Sequence, residues 1–368
     1  MSQNWPSWLP LRGNLRELSA YGAPQLPADA VLNTNENPYA PSPELAKAIA
    51  AKVLVVAATL NRYPDRDAVS LRSKLAEFVN SLSGTSMKSG NIWAANGSNE
   101  IIQSIFLAFG RESALGFTPS YSMHPLIAKV TSVNWSDGKR REDHSLDVAV
   151  AAQQVLTAKP TLTFITTPNN PTGSVVKISE IVELAKATAS VGGLLVVDEA
   201  YAEFSSEISA VTLIAQYPNV IVIRTMSKAF AFAGARLGYL IADPAVIDAL
   251  QLVRLPYHLS AITQAVAEVA LSFSDELLAG VDTLIAQREI VQAGLSKLGL
   301  TITPSAANFL LFGGFNQPAD QLWRKLLDRG ILIRDVGLLG QLRVTIGTAA
   351  ENQAFLSALT EVLAEGDK

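Results

Sequence analysis

The stretch Thr225-Met226-Ser227-Lys228-Ala229-Phe230-Ala231-Phe232-Ala233-Gly234-Ala235-Arg236 decides how the rest of the chain is interpreted. The apolar run at 220–223 predicts a buried strand, which puts Lys228 on a turn beyond its end. Loss of hydration lowers the pKa of a lysine amine and lets it attack a carbonyl. The neighbouring donors are of the kind that bind phosphate: Thr225, Ser227 and Arg236. An amine among phosphate donors indicates pyridoxal phosphate, held by Lys228 as a Schiff base and anchored through its phosphate.

A lone loop lysine is most often an ordinary surface residue, so the interpretation depends on polar residues that follow other predicted strands. Asp198 ends an apolar strand, where a buried carboxylate needs a cationic partner such as the protonated pyridine nitrogen of the cofactor. Asn170 and Tyr201 would donate hydrogen bonds to the phenolate oxygen of the ring, and Tyr121 would stack on its face. Each residue alone has a structural explanation. Together they indicate a cofactor site.

Apolar runs alternate with helical stretches through the middle of the chain. The predicted strands lie at 92–95, 114–117, 161–166, 194–197, 220–223 and 237–242. Such continuous apolar strands, separated by helices, predict an α/β fold with a mostly parallel sheet that is covered on both faces. The polar motifs follow the carboxyl ends of the strands, where open α/β sheets bind ligands. One of them, Asn96-Gly97-Ser98-Asn99, opens a helix and offers backbone N–H groups to an anion.

The character of the sequence changes twice along the chain, and we predict three segments. Residues 1–30 are rich in Pro, Trp and Leu and form an N-terminal arm that lies on another surface. Residues 31–260 form the large cofactor-binding domain. Residues 261–368 form a smaller α+β domain, because a long helical region at 263–298 precedes a few short strands and helices.

Composition excludes several classes of protein. The 368 residues are 49% apolar and 17% charged, which is typical of a globular chain with a large core. A formal net charge of -4 gives no general attraction to nucleic acid or to an anionic membrane. The absence of cysteine excludes disulfides and thiolate metal sites. Without a signal peptide or a bilayer-spanning apolar run, we expect a cytoplasmic protein.

The histidines and the basic cluster give little indication of function. The three histidines suggest no metal site. His124 and His258 lie in aromatic-rich turns that could border a pocket, and we expect His144 to face solvent. The cluster Lys139-Arg140-Arg141 is followed by acidic residues, and we interpret it as a solvated loop.

The chain resembles the fold-type I PLP-dependent aminotransferases, and most closely the histidinol-phosphate aminotransferases of the actinobacterial kind. The similarity extends over nearly the whole chain. Its most specific stretches are Asn33-Thr34-Asn35-Glu36-Asn37-Pro38, Arg62-Tyr63-Pro64-Asp65, Pro168-Asn169-Asn170-Pro171-Thr172-Gly173, Asp198-Glu199-Ala200-Tyr201, Met226-Ser227-Lys228-Ala229-Phe230 and Leu342-Arg343-Val344-Thr345. The resemblance implies a large, mostly parallel sheet of the seven-stranded type.

The resemblance also implies a role for each matching residue. Lys228 is implied as the Schiff-base lysine and as the base that moves the proton. The implied phosphate ligands are Ser98, Asn99, Thr225, Ser227 and Arg236, with Tyr63 reaching in from the other subunit of a homodimer. Arg343 and Arg334 would bind the anionic ends of the substrate. Further residues would line the substrate pocket: Tyr21, Asn35 and Tyr257.

The implied reaction transfers the amino group of L-histidinol phosphate to 2-oxoglutarate in histidine biosynthesis. An aromatic amino-acid aminotransferase is the nearest alternative, because an imidazole and a phenyl ring make similar demands on a pocket. A PLP-dependent decarboxylase of a phosphorylated amino acid comes next. A cofactor-binding sensor domain is disfavoured, since the chain has neither a DNA-binding segment nor a net positive charge.

Overall fold

The computed structural model describes residues 5–20 and 22–366. Its strands, in chain order, are β1 (Ala30–Val31), β2 (Ile92–Ala95), β3 (Ser113–Thr118), β4 (Asn134–Lys139), β5 (Leu162–Thr166), β6 (Leu194–Asp198), β7 (Val220–Thr225), β8 (Gly238–Ile241), β9 (Thr301–Ile302), β10 (Phe309–Gly313), β11 (Ile331–Leu332), β12 (Arg334–Asp335) and β13 (Gln341–Thr345). Its α-helices are α1 (Pro43–Ala57), α2 (Val69–Ser83), α3 (Ser98–Phe109), α4 (Met123–Val130), α5 (Val148–Ala158), α6 (Ile178–Ser190), α7 (Pro244–Gln251), α8 (Ala261–Leu271), α9 (Ser274–Lys297), α10 (Ala319–Leu327) and α11 (Ala349–Gly366).

The central sheet has seven strands in the order β2-β8-β7-β6-β5-β3-β4. Strand β8 runs antiparallel to both of its neighbours, and the remaining pairs are parallel. Strands β5 and β7 are buried along their whole length, which agrees with their continuous apolar sequences. The predicted α/β fold and its mostly parallel sheet are therefore confirmed. The parallel order brings the carboxyl ends of β5, β6 and β7 to one edge of the sheet.

Several elements escaped the sequence prediction. Strand β4 forms the edge of the sheet and has the largely polar sequence NWSDGK, so it shows no apolar run. Helices α4 and α7 have only eight residues each, too few for a clear helical period. The helical region at 263–298 is two helices, because the chain breaks between α8 and α9 at Ser272 and Phe273.

The interpretation of the basic cluster as a solvated loop was wrong. Lys139 ends β4, and Arg140 is buried with 9% exposure. His144, expected to face solvent, is half-buried and lies with its Nε2 3.2 Å from Oε1 of Gln341. Lys139 and Arg141 keep the predicted exposure, and Arg141 forms an ion pair with Asp147 at 2.7 Å.

The C-terminal part of the chain builds an antiparallel sheet in the order β12-β13-β10-β9, packed with α9, α10 and α11. A second small sheet joins it to the N-terminal part, where β1 pairs in parallel with β11. The backbone N–H of Thr345 donates to the carbonyl of Leu32 at 2.9 Å and continues this connection. The segment that follows β1 is thereby held against the C-terminal sheet. The three-segment division itself stays a prediction.

The described part of the N-terminal arm lies against helix α4 of its own chain. Arg12 Nη2 donates to the carbonyl of Val130 at 2.5 Å, and Asn14 Nδ2 donates to that of Lys129 at 2.6 Å. Across residues 5–20 and 22–366, the helices are all too short or too polar to span a bilayer.

Candidate active site

A cavity of about 480 Å³ opens where the carboxyl ends of β5, β6 and β7 meet the C-terminal sheet. Most of the side chains predicted to bind a cofactor or substrate line it: Asn35, Ser98, Asn99, Tyr121, Asn170, Asp198, Tyr201, Thr225, Ser227, Lys228, Arg236, Arg334 and Arg343. Residues that are far apart in sequence thus converge on one space. Two described residues from the prediction, Tyr63 and Tyr257, do not line it.

One end of the cavity is shaped to receive an anion. Helix α3 begins there, and the N–H groups of its first turn have no partner within the helix. Gly97 precedes the helix with φ +82, a left-handed conformation that glycine adopts without strain. A Cβ at this position would lie 2.8 Å from Nη2 of Arg236, so a larger residue would displace this guanidinium from its place beside the helix terminus. Thr225 and Ser227 line the same cavity and share a hydrogen bond of 3.0 Å between their hydroxyls.

Lys228 follows β7 and reaches into the middle of the cavity. Its Nζ donates a hydrogen bond of 2.9 Å to the carbonyl of Thr34. The pKa of the Lys228 amine is lowered to about 8, mainly because the amine is buried and also because of the nearby charges of Arg343 and Arg236, whereas Glu36 opposes the shift. A lysine with this pKa is partly neutral near pH 8 and can act as a nucleophile or as a base.

The carboxylate of Asp198 lies at the end of β6 and is 2% exposed. Its Oδ2 lies 3.1 Å from Nε2 of His124, and its Oδ1 accepts a bond of 3.2 Å from the backbone N–H of Ala200. The ring of His124 is 1% exposed and packs against Phe164, with 4.8 Å between the ring centroids. Sequence analysis left His124 only as a possible border of the pocket and missed this contact, because α4 was not predicted.

Tyr201 lies beside Asp198 at the centre of a polar network. Its hydroxyl accepts a bond of 2.8 Å from Nδ2 of Asn35 and one of 3.5 Å from Nδ2 of Asn170. The Oδ1 of Asn170 in turn accepts a bond of 2.6 Å from Nη1 of Arg343. Thr345 fixes Asn35, because its hydroxyl donates to Asn35 Oδ1 at 3.0 Å. These bonds join the large sheet to the C-terminal sheet directly across the cavity.

Two arginines stand opposite each other on neighbouring strands of the C-terminal sheet. Arg334 on β12 and Arg343 on β13 are register partners, and both line the cavity. Like charges in this relation repel, so the pair is favourable only where an anion lies between or beside them. Nη1 of Arg334 is buried and has no hydrogen-bond partner in the described part of the chain. This wall of the cavity therefore suits a carboxylate or a phosphate.

A buried ion-pair cluster holds the strand ends beneath the cavity. Arg224 lies 2.8 Å from Oε2 of Glu199 and 2.9 Å from Oε1 of Glu203. Glu199 directly follows Asp198, and Arg224 directly precedes Thr225, so their bond fixes two cavity residues relative to each other. Sequence analysis quoted Glu199 within a motif and gave none of the three a role. The pattern of a charge at the end of each of two neighbouring buried strands could have identified the pair.

Tyr63 and Tyr257 stack on each other outside the cavity, with 4.4 Å between ring centroids and an angle of 15° between planes. Tyr63 is 79% exposed and Tyr257 is 41% exposed. Arg254 secures the two loops, because its Nη1 donates to the carbonyl of Arg66 at 2.9 Å. Tyr21 lies outside the described residues.

Comparison with known proteins agrees with this geometry. The model of the family described as aminotransferase class I and II matches residues 29–359. The histidinol-phosphate aminotransferase of Mycolicibacterium smegmatis is 55% identical over 357 residues, which cover 96% of this chain and 93% of the relative. The histidinol-phosphate aminotransferase of Nocardia farcinica is 53% identical over 351 residues, which cover 95% of this chain and 90% of the relative.

A solved structure extends the comparison to three dimensions. The histidinol-phosphate aminotransferase from Sinorhizobium meliloti, in complex with pyridoxal-5'-phosphate, is similar with a TM-score of 0.85 at 25% identity. The match covers 99% of this chain and 100% of that chain. From its sequence, its fold and its relatives, the chain belongs to the class I and II aminotransferases and, within them, to the histidinol-phosphate aminotransferase family.

Proposed function

We propose that the protein is a pyridoxal-phosphate-dependent aminotransferase that converts L-histidinol phosphate and 2-oxoglutarate into imidazole acetol phosphate and L-glutamate. The observation that carries this proposal is the position of Lys228, whose lowered pKa suits a nucleophile, between an anion-binding helix terminus and a pair of arginines. The names of the relatives supply the substrate and favour it over an aromatic amino acid.

The residues of the cavity fit this cofactor. Its phosphate would lie at the terminus of α3, where Gly97 leaves room and Arg236 supplies a positive charge. Ser98, Asn99, Thr225 and Ser227 are the remaining phosphate ligands that we propose. Asp198 would hold the protonated pyridine nitrogen, and the space of about 480 Å³ accommodates the cofactor with part of a substrate. When bound, pyridoxal phosphate supplies an aldehyde that accepts the amino group and a ring that accepts electrons.

Each neighbouring side chain then has a distinct role. We assign to Lys228 the covalent link to the cofactor and, once the substrate has displaced it, the transfer of a proton from the substrate Cα. Asp198 would place its carboxylate next to the ring nitrogen, and Tyr121 would cover the ring face. Asn170 and Tyr201 would donate hydrogen bonds to the phenolate oxygen. Lys228, Asp198 and Tyr201 are thus the proposed catalytic residues.

The arginine pair would give one pocket the ability to accept two unlike substrates. Histidinol phosphate carries a phosphate and an imidazole, whereas 2-oxoglutarate carries two carboxylates and no ring. The planar guanidinium groups of Arg334 and Arg343 match either anion through paired hydrogen bonds. We propose that they bind the phosphate in one half-reaction and a carboxylate in the other. Asn35, Tyr21 and Tyr257 would line the remainder of the substrate pocket.

We propose a homodimer in which Tyr63 reaches the phosphate of the neighbouring subunit. This proposal is supported by the exposed apolar side chains in the segment that leads to Tyr257, of which Leu252 is 86% exposed and Leu255 75%. Mixing Lys228→Ala with Tyr63→Ala chains, each inactive alone, should restore activity, since a mixed dimer has one intact site. A monomer by light scattering at assay concentration would contradict it. The cytoplasmic location expected from the sequence stays a prediction for cell fractionation.

A single-turnover experiment tests the proposed function. The cofactor-loaded protein is mixed with one amine donor at a time, and the visible absorbance of the lysine-bound cofactor is followed. Histidinol phosphate should abolish this absorbance faster than phenylalanine at equal concentration. A faster reaction with phenylalanine would favour the aromatic aminotransferase, and release of carbon dioxide from a phosphorylated amino acid would favour the decarboxylase.

A further inference from the structure

Arg140, in the cluster that sequence analysis interpreted as solvated, is a buried cation of an unusual kind. Within residues 5–20 and 22–366, it forms no ion pair with a carboxylate, and its buried Nη2 has no hydrogen-bond partner. Burial lowers the pKa of its guanidinium to about 10. Arg224, which is also buried, is balanced by Glu199 and Glu203. A buried charge without a carboxylate partner is costly, so its position needs another explanation.

The contacts of Arg140 join three separate segments. Its Nε donates to the carbonyl of Phe117 at 3.3 Å, near the end of β3. Its Nη1 donates to the carbonyl of His144 at 3.3 Å and to the hydroxyl of Ser174 at 3.5 Å. The segment after Phe117 carries Tyr121, and the segment before Ser174 carries Asn170. Arg140 therefore bridges the two loops that supply these residues to the cavity.

A continuous row of hydrogen bonds leads from this bridge to the wall of the cavity. The hydroxyl of Ser174 donates to the carbonyl of His144 at 3.2 Å, and it lies 2.8 Å from the hydroxyl of Thr172. The amide of Asn169 donates to the hydroxyl of Thr172 at 2.8 Å and accepts from the hydroxyl of Ser120, also at 2.8 Å. These side chains belong to the same two loops that Arg140 bridges.

The row ends beside the residues proposed to hold the cofactor ring. The hydroxyls of Ser120 and Thr166 are 3.1 Å apart, and both residues line the cavity. Thr166 is the register partner of Asp198 on the neighbouring strand. The Nδ2 group of Asn169 donates two hydrogen bonds and its Oδ1 accepts one, which fixes which group donates at each step of the row. Donation runs from Thr166 to the carbonyl of His144, which also accepts from Arg140. A shift at Arg140 is thus transmitted to Ser120 and Thr166 through bonds of fixed direction.

We propose that Arg140 is a positioning residue, which sets the loops at 118–122 and 169–174 through the Ser174–Thr172–Asn169–Ser120 row and so orients the side chains that hold the cofactor ring. The inference rests on the proposed function. Arg140 touches neither cofactor nor substrate. Its effect is exerted through Tyr121 and Asn170, and we expect its removal to misplace the ring while the phosphate end stays bound.

The test compares Arg140→Met with Arg141→Met, the adjacent exposed arginine, in the cofactor-loaded enzyme. Visible circular dichroism per bound cofactor reports the orientation of the ring, and kcat reports its consequence. Misplacement of a reacting group by about 1 Å costs about 100-fold. We expect Arg140→Met to lower kcat by about 10- to 100-fold and to weaken the visible band, with both unchanged in Arg141→Met.

A second variant keeps the inference testable if Arg140→Met does not fold. Ser174→Ala interrupts the row with little change in volume and should weaken the same band. The double variant should lose no more than the larger single loss, because both changes act on one row. Arg140→Lys keeps the positive charge but lacks the several N–H donors of the guanidinium that contact the three segments, so it should not restore the band. A band and kcat within about twofold of wild type in both single variants would overturn the inference. A wild-type protein that binds the cofactor but transfers no amino group would instead overturn the proposed function.

Discussion

The two sides of the cavity are built differently. The floor comprises Lys228, Asp198 and Tyr201, which line the cavity, together with His124, which contacts Asp198. Each of them has a hydrogen-bond partner within the chain. We use the word rim for Arg334, which lines the cavity, and for the stacked Tyr63 and Tyr257, which lie outside it. Nη1 of Arg334 has no such partner among the described residues, and the stacked tyrosines do not line the cavity of their own chain. Arg343 connects the two sides, since it bonds to Asn170 and lies opposite Arg334.

The floor is therefore complete once the chain has folded, whereas the rim is completed only by a bound substrate or a second subunit. The floor is preorganised, because its groups are fixed by strand ends and by buried bonds before any ligand arrives. The rim holds positive charge and exposed aromatic surface, which a substrate anion and a second subunit would cover. We therefore expect changes in the floor to affect every substrate alike, whereas changes in the rim should depend on the substrate or on the partner chain.

The largest expected effect follows removal of Lys228, the proposed nucleophile of the floor. Lys228→Ala should still bind pyridoxal phosphate through its phosphate end, but without a covalent link. The lost proton transfer alone costs about 10²- to 10⁴-fold, and the lost link adds to this for every amine donor. Steady-state kcat and the visible absorbance of the loaded protein measure both effects, with the exposed Lys186→Ala as control. An unchanged visible spectrum would contradict the assignment of Lys228.

Arg343 tests the connection between floor and rim. Loss of a buried charge-assisted contact typically costs about 2–5 kcal/mol, or roughly 30- to 5,000-fold in kcat/KM. Arg343→Ala should impair the half-reactions with histidinol phosphate and with 2-oxoglutarate alike, which stopped-flow absorbance resolves. A variant that is slow with 2-oxoglutarate but normal with histidinol phosphate would show that the two anions do not share a site.

His124 tests whether the floor needs its buried contact to Asp198. A hydrogen bond to a charged group contributes about 1.5–3 kcal/mol, so His124→Phe should lower kcat by roughly 10- to 150-fold. His124→Gln, whose amide can reach towards Oδ2 of Asp198, should recover part of the loss. Equal kcat values for wild type and His124→Phe at saturating cofactor would show that the contact between His124 and Asp198 does not contribute to catalysis.

The pH dependence of cofactor capture is the smallest expected effect. The pKa of Lys228 is lowered to about 8, so below this pH the neutral amine falls about tenfold per pH unit, and capture of pyridoxal phosphate by the apoprotein should slow in proportion. Above pH 8 the rate should level off. Arg343→Ala should move the midpoint upwards, because the charge of Arg343 contributes to lowering this pKa. A midpoint near the ordinary value for lysine would contradict the buried position of the amine.

Sequence reasoning predicted the floor better than the rim for a physical reason. Asp198 and Lys228 follow continuous apolar runs, and parallel strands bring their carboxyl ends to one edge whatever the details of the loops. Their convergence on the cavity could therefore be predicted from local pattern alone. His124 could not, because its helix has only eight residues and its contact to Asp198 depends on tertiary packing.

The basic cluster at 139–141 shows where prediction from local sequence failed. The charges of Lys139, Arg140 and Arg141 indicated solvent exposure, yet the pleat of the edge strand and the turn after it bury Arg140 and leave Arg141 exposed. Local composition is the same for both. Only the three segments that meet at Arg140 distinguish them, and these segments come together through the fold of the whole large sheet.

The most direct test of the account is the stoichiometry of amino transfer by the wild-type protein. With histidinol phosphate and 2-oxoglutarate supplied together, we predict one L-glutamate formed for each histidinol phosphate consumed, and a kcat/KM above that for phenylalanine as the donor. Glutamate formed from phenylalanine but not from histidinol phosphate would contradict the account, as would consumption of histidinol phosphate without any glutamate.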